Sequence, residues 1–362
     1  MSSTRRTPLP TWLLVALYVT FIITATVVTV FVVLTAEAAL DVVQRPFNPL
    51  ENPTVAAVAD TPLPPLDQDG PVSIATLPPG EPTPTPMPTA ERDISDERVN
   101  ILLMGIDRRP GQAFVSRTDT MMVISINTEN DTVSILSVPR DLYVVIPGRG
   151  RDRINTAMVY GSAGGNPAAG AELAMQTVEY NLGVPIDHYF MLDFNAFIRA
   201  VDTLGGIDVN VPYDINDPKF PDMHSSGYDP LYIPAGHHHF DGEMALKYAR
   251  TRHQDNDFYR AQRQQQVLMA TRSKLLSLGP AQLIRQIPSL YRQFESGIRT
   301  DMSIERMIML AYAAQDIPGE NIRSAVLDHN YLMFHRTPQG ASVLILINDR
   351  AAPLIQEMFF EN

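Results

Sequence analysis

No charged residue occurs between Arg6 and Glu37, and Trp12 to Ala36 is a nearly unbroken run of Leu, Val, Ile, Phe, Ala and Thr. A helix rises about 1.5 Å per residue and needs about 20 apolar residues to cross the hydrocarbon of a bilayer. This run is longer, so it is expected to span with some tilt. Arg5 and Arg6 precede it, and Glu37 and Asp41 follow it. The basic flank keeps residues 1–11 in the cytoplasm and sends the remainder across. Ala36-Glu37-Ala38 offers a competing reading, a signal-peptide cleavage site. The apolar region is well beyond the ~7–15 residues of such peptides, however. Arg5-Arg6 alone is weak support for twin-arginine export. A retained anchor over 12–36 is the reading taken, and under either one the body of the chain is extracytoplasmic.

From Arg45 to Thr89 prolines crowd the chain, ending in a Pro-Thr alternation from Glu81 to Thr89. Proline removes the backbone donor and fixes φ, so neither a helix nor a central strand can run through it. Residues 37–98 are therefore expected to form a Pro-rich, solvated tether, with Glu81 to Thr89 as extended polyproline II, reaching on the order of 150 Å if ~50 residues are fully drawn out at ~3.1 Å each. Its Thr-Pro repeats are also of the kind that carry O-glycans.

The folded body is expected over 99–362. Val99 to Met104 is a short apolar run ending at Gly105, the pattern of a buried strand. Met121 to Ile126 and Thr132 to Val138 are strands joined by the turn residues Glu129-Asn130-Asp131, hence a hairpin. Pro167 to Leu182 has helical spacing and stops at Gly183. His188 to Leu192 reads as a strand, Phe194 to Leu204 as a helix, and Ile207 to Val211 as a strand after Gly205-Gly206. Asp241 to Tyr248, Asp257 to Leu278 and Ser303 to Ala313 read as helices, with Asp257 as an N-cap. Ile322 to Leu327 reads as a strand, and Ile304 to Leu310 and Val343 to Ile347 as core. Strands alternating with helices imply one α/β domain with a central mixed sheet flanked by helices. No repeat of 20–50 residues occurs. The chain has no Cys, so this domain must rest on its core rather than on disulfides.

Chemistry concentrates in four segments: Gly105-Ile106-Asp107-Arg108-Arg109, Arg117-Thr118-Asp119-Thr120, Ser137-Val138-Pro139-Arg140-Asp141, and Tyr248-Ala249-Arg250-Thr251-Arg252 followed by Asp257, Arg260, Arg263 and Gln264. Ligands collect at strand ends in open α/β sheets, and Asp107, Arg117, Asp119 and Arg140 all fall at such ends. In extended chain Arg250 and Arg252 would share one face. Arg260, Arg263 and Gln264, at i, i+3 and i+4, would share one face of a helix. The whole chain carries 28 Lys+Arg against 40 Asp+Glu, a formal net charge of -12. That excludes a uniformly basic nucleic-acid surface, so these arginines form a local exception. Guanidinium forks bind phosphate oxygens in pairs, and two carboxylates beside them make sense if a divalent cation such as Mg2+ bridges carboxylate and phosphate. A pyrophosphate satisfies both sets. The competing reading of each residue alone is an ordinary surface ion pair worth ~0–1 kcal/mol. His237-His238-His239 is read as a loop entering the next helix, since adjacent side chains diverge too far to chelate one ion well. Gly161, Gly164 and Gly165 lack the spacing and the lysine of a phosphate-binding loop, and no nucleophile elbow occurs.

In order and spacing these segments, together with Arg153-Ile154-Asn155, Tyr160-Gly161 and Leu204-Gly205-Gly206-Ile207, resemble the signature of the LytR-CpsA-Psr family. The resemblance covers Val99 to Gln265 and runs on more weakly to Leu327. It implies an extracytoplasmic, membrane-anchored phosphotransferase that moves a glycopolymer from a polyprenyl-pyrophosphate donor to a peptidoglycan sugar hydroxyl and releases polyprenyl phosphate. On it, Asp107 and Asp119 place Mg2+. Arg117, Arg140, Arg250, Arg252 and Arg260 hold the pyrophosphate, with Gln264 nearby and Arg263 added on helix geometry. Asp119, Arg117 and Arg140 form the catalytic set, with Asp119 as the candidate proton acceptor. The implied partners are the lipid-linked glycopolymer, peptidoglycan and the membrane, not nucleic acid. The polymer itself (teichoic-acid-like, capsular or arabinogalactan-like) is not distinguished. Val267, Leu268 and Leu275 are spaced either to line a lipid slot or to form ordinary core, and core is the reading taken. A pyrophosphate-binding regulator and a hydrolase that passes the phosphate to water are the other functions such a site would serve.

Overall fold

Strands buried on both faces read as continuous apolar runs, and three such runs form the centre of the molecule. The computed structural model describes residues 98–108, 112–222, 227–252, 256–277, 297–303, 306–307, 310, 313–314 and 317–361. The expected anchor over 12–36 and the linker from 37 as far as 97 lie outside the described residues. Among the described residues no helix is long and apolar enough to cross a membrane.

Strand β1 (Arg98–Ile106) pairs antiparallel with β2 (Thr118–Asn127), which turns into β3 (Thr132–Ser137), the expected hairpin with Asn127 opposite Thr132. A short ribbon follows, β4 (Tyr143–Ile146) with β5 (Gly150–Arg153), and then α1 (Ala157–Gly161) and α2 (Pro167–Leu182). Helix α2 has its expected bounds: the Asn166 side chain caps its start, and Gly183, at φ 71°, ends it in the left-handed region where a Cβ is disfavoured. Next come β6 (His188–Asp193), α3 (Phe194–Thr203), β7 (Ile207–Val211), β8 (Ile215–Asp217), β9 (Leu231–Ile233), β10 (Gly236–Phe240), α4 (Gly242–Arg250) and α5 (Asp257–Ser277). The chain closes with β11 (Ile298–Thr300), β12 (Ile322–Val326), the hairpin β13 (Leu332–Arg336) and β14 (Ser342–Leu346), and α6 (Asn348–Phe359). Of the helix expected over Ser303 to Ala313, the described residues 306, 307, 310 and 313 are helical.

The central sheet has six strands in the order β11-β6-β1-β2-β3-β12. It is mixed: β1 runs parallel to β6 and β3 parallel to β12, while the other pairs are antiparallel. The strand period of two divides its apolar residues between two cores. Leu102, Met104, Ile106, Val123 and Leu136 face α2 and α6, whereas Ile101, Leu103, Met122, Ile124 and Ile135 face α5. A third cluster joins β7 to β10 with α4 and the inner face of α5. The α/β domain with a central mixed sheet is therefore as expected. The His run is not. Gly236 to Phe240 is a strand paired with β7, His237 opposite Asn210 and His239 opposite Asp208. The His239 ring spans Asp208 Oδ1 at 2.7 Å and the Gly205 carbonyl at 2.9 Å, so hydrogen bonding and strand pairing occupy this segment. Among the described residues, no three His, Asp, Glu or Cys side chains come together as a metal-binding group.

Candidate active site at the strand ends

β1 and β6 are parallel and end together, with Ile106 opposite Asp193. The start of β2 and the exit of β3 meet them at the same edge of the sheet. The local backbone aims Asp119 there. Gly105 pairs with Thr120 but Ile106 with Thr118, so Asp119 is the extra residue of a β-bulge. A bulge bends the strand and redirects one side chain, and bulges recur beside active sites for that reason. Gly105 tolerates this tight pairing because a Cβ there would lie 3.1 Å from that of Thr120.

Ion pairs bind the strand ends to the helices. Arg140 donates from Nη1 to Asp119 Oδ1 at 2.8 Å and lies 3.8 Å from Asp257 and 3.7 Å from Asp141 through Nε. Arg260, on the first turn of α5, donates to the Asp119 carbonyl and to Asp257 Oδ2, both at 3.0 Å. Arg250 ends α4 and donates to Asp107 Oδ2 at 3.3 Å, its guanidinium 4.5 Å above the Phe194 ring. Arg108 donates from Nε to the buried Asp193 carboxylate at 2.9 Å. Burial works against the charge on Arg140, but Asp119, Asp257 and Asp141 outweigh it and raise the pKa above the ordinary guanidinium value. Burial pulls the Arg260 pKa below that value, opposed by Asp257. Both remain cationic, since an arginine guanidinium is not deprotonated in proteins. Each also keeps a buried Nε with no hydrogen-bond partner. Leaving a buried charged donor unmade costs about 1–3 kcal/mol or more.

Asp107, Asp119, Arg140, Asp193, Arg250 and Arg260 line a cavity of about 300 Å³. Its polar lining is Asp107, Asp119, Thr120, Arg140, Asp193, Asp222, Arg250, Arg252, Arg260 and Gln264. Its apolar lining comes from the sheet face (Leu103, Met122 and Leu192), α3 (Phe194 and Phe197), Phe220, and Leu246, Val267 and Leu268 of α4 and α5. One space thus joins an arginine–aspartate cluster to an oily interior.

The LytR_cpsA_psr family model matches residues 80–359. The chain belongs to that family. It is 34% identical over 213 residues to the polyisoprenyl-teichoic acid–peptidoglycan teichoic acid transferase TagU of Oceanobacillus iheyensis, covering 58% of this chain and 61% of that one. It spans less than two thirds of the length of the curated relatives it matches. The crystal structure of Bacillus subtilis TagV is similar at a TM-score of 0.58 and 26% identity, over 74% of this chain and 100% of that one. A structure described as TagT bound to LIIa-WTA is similar at a TM-score of 0.57 and 25% identity, over 75% and 93%.

In this LytR-CpsA-Psr domain, seven of the residues singled out in the sequence line the one cavity: Asp107, Asp119, Arg140, Arg250, Arg252, Arg260 and Gln264. Two others do not. Arg117 is exposed just before β2, outside the lining, and its charge acts on Tyr160. Arg263 is buried and donates to the Thr251 carbonyl, with Tyr213 Oη at 3.4 Å, so it braces the α4–α5 connection. The reason is angular. At 100° per residue Gln264 and Val267 lie within about 40° of Arg260, whereas Arg263 lies about 60° off on the far side from Gln264 and Leu268. Arg263→Met is accordingly expected to lower unfolding free energy by about 2 kcal/mol in urea titration, with kcat of the folded protein nearly unchanged. Equal loss of kcat would return Arg263 to the substrate.

Three further expectations are corrected. Arg250 and Arg252 converge not from extended chain but because Arg250 closes a helix and Thr251 is its extended C-cap. Asp257 is not the cap of α5. The Asn256 side chain accepts from the Phe258 and Tyr259 amides at 2.9 and 3.3 Å, which leaves Asp257 for Arg140 and Arg260. Val267 and Leu268 are cavity wall as well as core, while Leu275 is buried without lining the cavity. Asp193 received no role in the sequence reading, although it sits at a strand end like Asp107. The aromatic wall of Phe194, Phe197 and Phe220 carried no separate signal, since core and cavity lining have the same composition.

Proposed function

We propose that this chain is a phosphotransferase that moves a glycopolymer from a polyprenyl-pyrophosphate donor to a sugar hydroxyl of peptidoglycan and releases polyprenyl phosphate. The observation that carries this reading is a cavity lined both by a cluster of guanidinium groups and by apolar side chains, the complement of an anionic headgroup on a lipid. The named activity of the TagU relative supports it. The anchor expected over 12–36 would keep the enzyme beside a membrane-borne donor.

Arg140, Arg250, Arg252 and Arg260 would hold the diphosphate, and Gln264 would hydrogen-bond beside them. Arg117, two residues before Asp119, would reach the polymer-side phosphate from outside the lining. Asp107 and Asp119 suit a divalent cation that also takes phosphate oxygens: each gives one oxygen to an arginine and keeps a second outside that bond. Mg2+ bound there would neutralise charge on the diphosphate, completing its shell with substrate oxygens. The acceptor oxygen forms a bond to the sugar-bearing phosphorus as the bridging bond to polyprenyl phosphate breaks. The hydroxyl proton passes to the Asp119 carboxylate, and the electron pair leaves on polyprenyl phosphate, whose charge the arginines stabilise. Positioning and charge stabilisation of this kind carry most of phosphoryl transfer.

The test is incubation of the full chain in vesicles with a radiolabelled polyprenyl-diphosphate disaccharide, with and without peptidoglycan and Mg2+. Acceptor-dependent release of polyprenyl phosphate with label on the glycan is expected. Release without label transfer would make the chain a hydrolase, and tight binding without release would make it a regulator.

A further inference from the structure

We infer that the β13–β14 hairpin carries the binding ledge for the acceptor, a hexosamine glycan strand of peptidoglycan. The inference rests on the transferase reading above. A continuous line of polar contacts leads there from the cavity lining. Arg140 lies 3.7 Å from Asp141, Asp141 forms an ion pair with Arg153 at 3.1 Å from its Nε, and Arg153 Nη2 donates to the Ser342 carbonyl at 3.0 Å. Ser342 is the cross-strand partner of Arg336.

On β13, Leu332, Phe334 and Arg336 alternate onto one face. Leu332 is 4% exposed in the core, yet Phe334 is 76% exposed. Thr337 and Leu344 around the turn are buried as well, so the hairpin is seated on the body while Phe334 and Arg336 stand exposed on it. Between Asn330 and Leu346 no carboxylate occurs, so Arg336 has no acidic neighbour within the hairpin. Phe334 and the neighbouring Met333, 52% exposed, together suit a partner with an apolar face, and the C–H face of a pyranose is one, with the carboxylates of its stem peptide suited to Arg336.

Direction decides between the acceptor and the polymer arm of the donor. The cavity lies against the sheet face that carries Leu103 and Met122, whereas Leu332 and Leu344 pack on the opposite face. Attacking and leaving oxygens are roughly in line in phosphoryl transfer. A lipid phosphate departing into the cavity thus requires a hydroxyl arriving from the side of the ledge.

The test compares Phe334→Ala and Arg336→Ala with the wild-type full chain, using the polyprenyl-diphosphate disaccharide as donor and a soluble peptidoglycan tetrasaccharide bearing stem peptides as acceptor. Phe334→Ala is expected to raise acceptor KM about tenfold, the scale of a lost aromatic contact, and Arg336→Ala about threefold, with donor KM and Tm unchanged. Tetrasaccharide affinity measured by calorimetry, without donor, is expected to fall in parallel. A rise in donor KM alone would assign the ledge to the polymer arm, and unchanged constants, or a wild-type chain that does not bind tetrasaccharide, would also overturn the inference. Binding that depends on Phe334 in a chain that releases no polyprenyl phosphate would keep the ledge and reject the transferase reading.

Discussion

Asp119→Asn and Arg140→Ala are each expected to lower the rate of polyprenyl phosphate release by about a thousandfold, the scale of losing one preorganised charge-stabilising group. The double variant is expected to fall little further. Non-additivity follows from the geometry: Arg140 fixes the Asp119 carboxylate at 2.8 Å, and the bulge that aims Asp119 is held from the other side by Arg260 on its carbonyl. Removing either partner misplaces the other, so each single change removes most of what the pair does together. Stability should respond differently. Asp119→Asn keeps shape and sits at a partly exposed position, so its Tm should move by no more than a few degrees. Arg140→Ala leaves Asp119, Asp257 and Asp141 facing one another with less counter-charge, and a further loss of about 1–3 kcal/mol is expected. Single-turnover release and urea melts on the three variants check both statements. Rate losses that multiply would show the two residues acting separately, and gross unfolding of Asp119→Asn would make it a structural residue.

What could be read in advance divides along physical lines. β1, β2 and β3 are apolar on both faces, and such runs have few alternatives to a buried strand. The ribbons β4–β5 and β13–β14 have strands of only four or five residues, too short to show a strand period, so Val343 to Ile347 could be read only as core and the rest not at all. β10 shows this most sharply. Three histidines carry no strand signature, and their conformation is set by pairing with β7, a contact some 30 residues away in sequence. In the site, strand-end logic found Asp107, Asp119 and Arg140, because their place depends on where strands stop. Helix-face logic was coarser. Spacing of i, i+3 and i+4 covers an arc wide enough to include both the cavity wall and the packing seam, and Arg263 fell on the seam. Asp257 was misassigned because Asn256 competes for the same capping role, and no sequence rule ranks adjacent Asn and Asp.

The same ambiguity between wall and core gives the second large expectation, Ala249→Phe. Ala249 lines the cavity from α4 and is 7% exposed. A benzyl group there would enter existing space rather than displace packed neighbours, so the usual overpacking cost of about 1–3 kcal/mol should be reduced. If the space belongs to the polyprenyl chain, the ring excludes three or four methylenes at about 0.8 kcal/mol each, close to 3 kcal/mol or about a hundredfold in donor KM. A donor shortened to two isoprene units need not reach that depth, and its KM should change only a few-fold. The ratio between long and short donors is the discriminating quantity, because a general distortion of α4 would displace Arg250 and impair both equally. Equal impairment would mean that Val267, Leu268 and the phenylalanine wall are ordinary core after all. A large ratio would tie the oily interior to the lipid and, through the in-line requirement, strengthen the assignment of the opposite face of the sheet to the acceptor.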